Sequence, residues 1–381
     1  MTFKLDITAA VVYKLWLTKG DQMSMFNTCK EKFIAFGVAA LCFGYFAAYV
    51  PYSMMTKMIT SGLFSGMNGV GFSGFEIQPV VGLANLISML VFITCVGWWK
   101  FATHSTIFGV SLPRPQWFTF ISGLCCAGQI VTTTLAYTFE GVSIVFAMLL
   151  MRGGVLVIAP IVDLAARKRK RKIYWPSMVA ALLSLAALLE TLFGKVGTAM
   201  TFVAVVDIGL YLFVYFFRLL FMSNKAKSDD VAERKRYFAE EQLTAGIAMM
   251  TILFIIGLFG LGMGPETIPG KLWAGFTEFP FKGYFFYAFL IGVFSYGTGL
   301  FGSLIFLDKR ENTFTVPANR CTSIIAGVLA TYLLAIFYGQ KYPDVHQLTG
   351  VALILGAIVF LSIRAIMDKK NKPQEILCSG K

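Results

Sequence analysis

Charge is scarce in this chain of 381 residues: Asp, Glu, Lys and Arg together make up 14% of it. A soluble domain carries about a quarter, so a water-facing surface over the whole chain is excluded. Histidine is almost absent, with His104 and His346 placed near opposite ends of apolar segments. The seven cysteines fall mostly within apolar segments, without metal-ligand spacing or the pattern of a disulfide framework. The terminal Cys378-Ser379-Gly380-Lys381 lacks the aliphatic pair of a prenylation box. No Walker-A sequence is present. Gly71-Phe72-Ser73-Gly74 matches intramembrane serine proteases by letters only, because a histidine partner is missing and Ser73 lies in a loop. Asp229-Asp230 resembles half of a Mg²⁺–diphosphate motif and lacks the second acidic pair. No metal, no cofactor and no catalysis are therefore expected.

What the chain has instead is apolar length. Hydrophobic residues make up 57% of it, in runs of about twenty residues, the length that crosses about 30 Å of hydrocarbon. Ten such runs lie at roughly 33–52, 77–99, 117–137, 142–165, 175–193, 200–222, 243–263, 283–307, 314–338 and 346–366. The reading is an all-α polytopic membrane protein with ten transmembrane helices. Residues 1–30 read as an N-terminal amphipathic stretch, with no cleaved signal peptide expected. The net charge of +13 does not point to nucleic acid, because its distribution follows the membrane. With the N-terminus inside, the outer loops hold only Lys57, Lys195, Lys271, Lys282 and Lys341, whereas the run Arg167–Lys172 falls inside. That asymmetry places both termini in the cytoplasm. A plasma (inner) membrane is expected ahead of an organelle membrane. The stretch 223–242 reads as a cytoplasmic connection between two halves that forms a short solvated helix, and the glycine-rich stretch 60–74 as an outer loop or gate.

The halves resemble each other. Gly123 and Gly128 pair with Gly292 and Gly297 at an offset of 169 residues, and Arg152 pairs with Arg320 at 168. Five spans in each half make the second copy enter the membrane upside down, a 5+5 inverted-topology repeat. Its boundaries are 31–194 and 195–366, followed by a tail at 367–381. An arginine inside a span is costly and marks function. Arg152 and Arg320 are candidates to recognise an anion through the fixed donor fork of guanidinium. Alternatively each pairs with a carboxylate, Asp207 or Glu190, or Arg320 snorkels to the surface. Asp207, Tyr211, Tyr215 and Arg218 recur at steps of four, four and three, and Tyr45, Tyr49 and Tyr52 share one face of span one. With Gln129, Tyr296 and Asn319 they are candidates to line a polar cavity. Asp207 and Glu190 are candidates for ion coupling.

Glu140–Ala166 followed by a basic turn and a helix starting at Trp175, echoed by Asn319-Arg320, Ile324–Leu334 and Gln347-Leu348-Thr349-Gly350, resembles the drug/metabolite transporter superfamily. That superfamily includes EamA-type exporters and nucleotide-sugar translocators. The resemblance covers most of the chain past residue 30, although the glutamate usual near the end of span nine in EamA proteins is replaced around Phe337–Gln340. It implies a central cavity between two rocking halves, and Arg152 and Arg320 add the expectation of a small, anionic substrate. The alternatives are a cation or amino-acid exporter using Asp207 or Glu190, and a lipid scramblase or scaffold. The partners expected are the substrate and the bilayer, with a homodimer left open.

Overall fold

The computed structural model describes residues 37–107, 110–139, 144–165, 175–193, 202–222, 230–307 and 312–378. The amphipathic stretch 1–30, the basic run Arg167–Lys172 and Lys195 lie outside the described residues.

Six helices among the described residues are long and apolar enough to cross a bilayer. They are α2 (Gly74–Val96), α3 (Trp117–Ala136), α7 (Phe202–Phe221), α8 (Val231–Leu258), α10 (Phe285–Phe306) and the Asn319–Tyr338 part of α11 (Asn312–Tyr338). Between them lie α1 (Gly37–Thr60), the pair α4 (Ile144–Met148) and α5 (Gly154–Ala165), α6 (Trp175–Phe193), the short α9 (Ile268–Thr277) and the terminal α12 (Val345–Cys378). Large apolar side chains point outward along these helices, including Phe202 at 79% exposure, Phe337 at 70% and Ile336 at 63%. Water would not tolerate such a belt, and hydrocarbon would. The chain is an integral, multi-pass, helical membrane protein.

Helix packing is set by small residues at the crossings. A Cβ built on Gly123 of α3 would lie 2.5 Å from Cβ of Thr244 on α8. Glycine at position 123 is what lets these two backbones approach. α3 packs against α7 and α8, α10 against α1 and α2, and α1 also against α11. α5 packs against α7, α2 against α8, and α6 against α12.

Three features depart from the sequence reading. A small antiparallel hairpin, β1 (His104–Ile107) and β2 (Val110–Pro113), joins α2 to α3, so the fold is not wholly helical. The glycine-rich stretch after Thr60 is a chain of hydrogen-bonded turns, with Gly69 N donating to Gly62 O and Phe72 N to Ile59 O, and with Met67 buried. Gly62, Gly66 and Gly69 adopt positive φ there, which glycine alone takes without strain.

The third departure is the largest. Residues 231–242 are helical as expected but form no separate solvated helix: they are the first three turns of α8, capped by the Asp230 carboxylate, which accepts from Ala232 N at 2.8 Å. Tyr237, Phe238, Glu240, Glu241 and Gln242 are all buried. Glu240 ties down both feet of the hairpin. Its carboxylate accepts from Thr103 N at 3.0 Å, Gln116 N at 3.1 Å and the Thr119 hydroxyl at 2.7 Å. A buried carboxylate bound by three neutral donors is satisfied without a cation. Removing it leaves the Thr119 hydroxyl with the Gln116 carbonyl at 2.8 Å but strands the Thr103 and Gln116 amides, each costing about 1–1.5 kcal/mol where water reaches them in part. Glu240→Ala is expected to lower stability by about 2–3 kcal/mol and to expose the hairpin to protease. Thermal unfolding in detergent and limited proteolysis measure the two effects.

Candidate functional site

The helices form a half-open cavity of about 60 Å³ with a mixed polar and apolar lining. That holds several waters or one small ligand. Tyr45 and Tyr52 from α1, Asn85 from α2, and Cys126, Gln129 and Thr133 from α3 line one side. Tyr215 and Arg218 from α7, Gln242 from α8, Tyr296 and neighbours from α10, and Asn319 from α11 line the other. Arg152 reaches it from the break between α4 and α5.

That break is a π-helical turn, Leu149–Gly153. A π turn widens the helix and redirects its side chains, a distortion found mostly at functional sites. Gly154 follows, and a Cβ there would stand 2.7 Å from Cδ2 of Leu212 on α7. Glycine thus lets α7 approach closely enough for Tyr211 to reach the arginine. Arg152 Nη1 donates to Tyr211 Oη at 2.7 Å and Nη2 to Tyr49 Oη at 2.8 Å. The guanidinium carbon lies 5.5 and 5.8 Å from the centroids of those two rings. Arg152 is 4% exposed, and its Nε has no partner among the described residues.

Arg320 is built alike. Its Nη2 donates to Tyr215 Oη, and its guanidinium lies 4.7 Å from the Tyr215 ring and 5.8 Å from Phe306. It is 0% exposed, so it does not snorkel, and α11 runs unbroken around it. Its Nε and Nη1 have no partner among the described residues. Neither arginine pairs with Asp207 or Glu190.

The predicted tyrosine stripes are real. Asp207, Tyr211, Tyr215 and Arg218 are all buried on one face of α7, and Tyr45, Tyr49 and Tyr52 on one face of α1. Tyr49 also shares a hydrogen bond with Tyr137, and Tyr52 bonds Thr134 Oγ1 at 2.8 Å. These hydroxyls therefore pack and bind at once. Tyr296 and Asn319 line the cavity, and Tyr296 Oη and Asn319 Nδ2 lack partners among the described residues. Asp207 is buried with Oδ2 unpartnered, but it does not line the cavity. Glu190 is far from the arginines in character as well as place. It is part-exposed and bonds His346 Nδ1 at 2.8 Å.

The residue missed from the sequence is Glu241. It clasps Arg218 with two bonds, Nε to Oε1 at 3.1 Å and Nη2 to Oε2 at 3.0 Å. Ser122 donates to the same carboxylate at 2.6 Å, and Tyr237 donates to Ser122 at 2.7 Å. Arg218 also donates to Gln129 Oε1 at 2.7 Å and Ser303 Oγ at 3.0 Å. Helical spacing back from Leu243, through Glu240 and Tyr237, was the available signal.

Among the described residues, three guanidiniums thus lie at or behind the cavity, and one carboxylate contacts them. Arg218 is neutralised, whereas Arg152 and Arg320 keep their charge among neutral tyrosines. Each tyrosine hydroxyl that accepts from Arg152 is expected to matter for stability. Tyr49→Phe and Tyr211→Phe should each cost about 1–3 kcal/mol, and the double variant should cost more than either, read as melting temperature in detergent.

No family model matches the chain, and no curated protein is similar to it. Eight chains among solved structures are similar. One of them, described only as a crystal structure of a protein, is 13% identical over 86% of this chain and 98% of its own, with a TM-score of 0.39, a likeness that carries no argument.

Proposed function

We propose that the chain is a secondary transporter of the drug/metabolite type, which moves a small anionic metabolite by alternating access. The observation that carries this reading is the pair Arg152 and Arg320, buried and, among the described residues, bonded only to tyrosine hydroxyls. A buried charge without a counter-ion costs several kcal/mol, and an anionic ligand beside the cavity offsets that cost.

Ten spans in a 5+5 inverted repeat suit this reading. The six long apolar helices are joined by α1, the α4–α5 pair, α6 and α12, which coincide with the remaining four apolar runs. The packing is mirrored when the first five segments are exchanged for the last five. α1 with α10 corresponds to α7 with α3, and α2 with α10 corresponds to α8 with α3.

Polar contacts repeat in the same way. Arg152–Tyr49 recurs as Arg320–Tyr215, at offsets of 168 and 166 residues. Asn85 donating to Ser295 recurs as Gln242 donating to Cys126, at offsets of 157 and 169. Tyr52–Thr134 recurs as Arg218–Ser303, at 166 and 169. Three side-chain contacts that recur between matching segments support a duplication. On this reading the halves 31–194 and 195–366 rock about the cavity, with both termini cytoplasmic.

A second reading, a cation exporter, rests on Asp207, whose buried carboxylate leaves one oxygen unpartnered. Arg152→Gln and Arg320→Gln separate the two. In sealed proteoliposomes, saturable flux of an anion is expected to fall at least about tenfold in either variant, the change that 1.4 kcal/mol makes. Wild-type flux in both variants, or flux of amines alone, moves the site to Asp207. Lipid redistribution without solute flux favours a scramblase.

A further inference from the structure

Among the mirrored pairs above, formal charge differs at one place. Where the first half puts Tyr52 against Thr134, the second puts Arg218 against Ser303. The added charge is cancelled on the spot by Glu241, whose first-half counterpart by the same register is Ala84. Arg218, Gln129 and Ser303 face the cavity, while Glu241 stands behind them on α8, 1% exposed, out of reach of a ligand.

We infer that Glu241 is a specificity-determining residue which acts through Arg218 and fixes how many negative charges the ligand carries. This rests on the anion-transport reading and deepens it. With Glu241 ionised and bidentate on Arg218, the cavity presents Arg218 as a hydrogen-bonding surface of no net charge. The attraction felt by a ligand then comes from Arg152, with Arg320 behind Tyr215. Charge at a site partly screened from bulk water acts strongly, since the effective dielectric is about a quarter of that of water. Neutralising Glu241 while keeping its shape would therefore release a full positive charge at the cavity wall. Glu241→Gln retains an acceptor for Arg218 Nε or Nη2 and a partner for Ser122. Its main effect on binding is electrostatic. Arg218→Gln alone strands the carboxylate, and the double variant restores the balance with neither charge present.

The test uses two matched pairs of ligands that differ by one charge at nearly constant shape: sulfate against methanesulfonate, and succinate against succinamate. Binding to the purified full-length protein is read as a concentration-dependent rise in melting temperature, with monodispersity by gel filtration as the folding control. The expected result is that the ratio of dianion to monoanion affinity rises about tenfold or more in Glu241→Gln. It should return to within about threefold of wild type in Arg218→Gln/Glu241→Gln, roughly the limit of additivity for coupled sites. A merely structural role would lower both affinities together and leave the ratio unmoved, and that outcome would overturn the inference. A raised ratio that persists in the double variant would overturn it too, because the charge of Arg218 would not be its source. Binding of none of the four anions to wild type would instead overturn the anion reading beneath it.

Discussion

The constraint on which this structure depends is the price of a guanidinium in a hydrocarbon slab. Three arginines are buried here, and each is held differently. Arg218 takes a carboxylate, a serine and a glutamine, and its charge is cancelled. Arg152 and Arg320 take tyrosine hydroxyls and aromatic faces, which satisfy donors and stabilise a cation without neutralising it. That difference divides the polar centre into a part that is electrostatically spent and a part still able to attract an anion.

The surrounding helices serve these side chains. The π turn aims Arg152 into the cavity, and Gly154 lets α7 bring Tyr211 to it. The α1 stripe supplies Tyr49 for Arg152, while the α7 stripe supplies Tyr211 for Arg152 and Tyr215 for Arg320. Two consecutive residues of α8 have unrelated tasks. Glu240 holds the feet of the hairpin, and Glu241 holds Arg218. Movement of α8 would therefore disturb the hairpin and the cavity wall together, since adjacent residues of one helix cannot shift independently.

The candidate residues fare unevenly, for physical reasons. Tyr45, Tyr215, Gln129, Asn319, Tyr296 and Arg152 meet at one cavity, and Tyr49, Tyr211 and Arg320 back it. Their spacing on helical faces was visible because period and burial go together. Glu190 faces outward at the end of α6, paired with His346. Linear position along an apolar run does not reveal which way a residue faces. Glu240 and Glu241 were hidden by Arg234, Lys235 and Arg236 just before them, which give the stretch the look of a solvated helix.

Hydropathy and spacing alone determined that this chain lives in a bilayer, that its polar residues lie on shared faces, and that two arginines 168 residues apart fall inside apolar runs. Those are properties of composition and helical period, and they survive any choice of packing. Which partner each arginine receives was decided only by tertiary structure. Tyr49 lies 103 residues from Arg152, and Ser303 lies 85 from Arg218. No local pattern links such positions; helix crossings at glycine bring them together. The same crossings choose a carboxylate for one arginine and phenols for the others, and so decide where uncancelled charge remains.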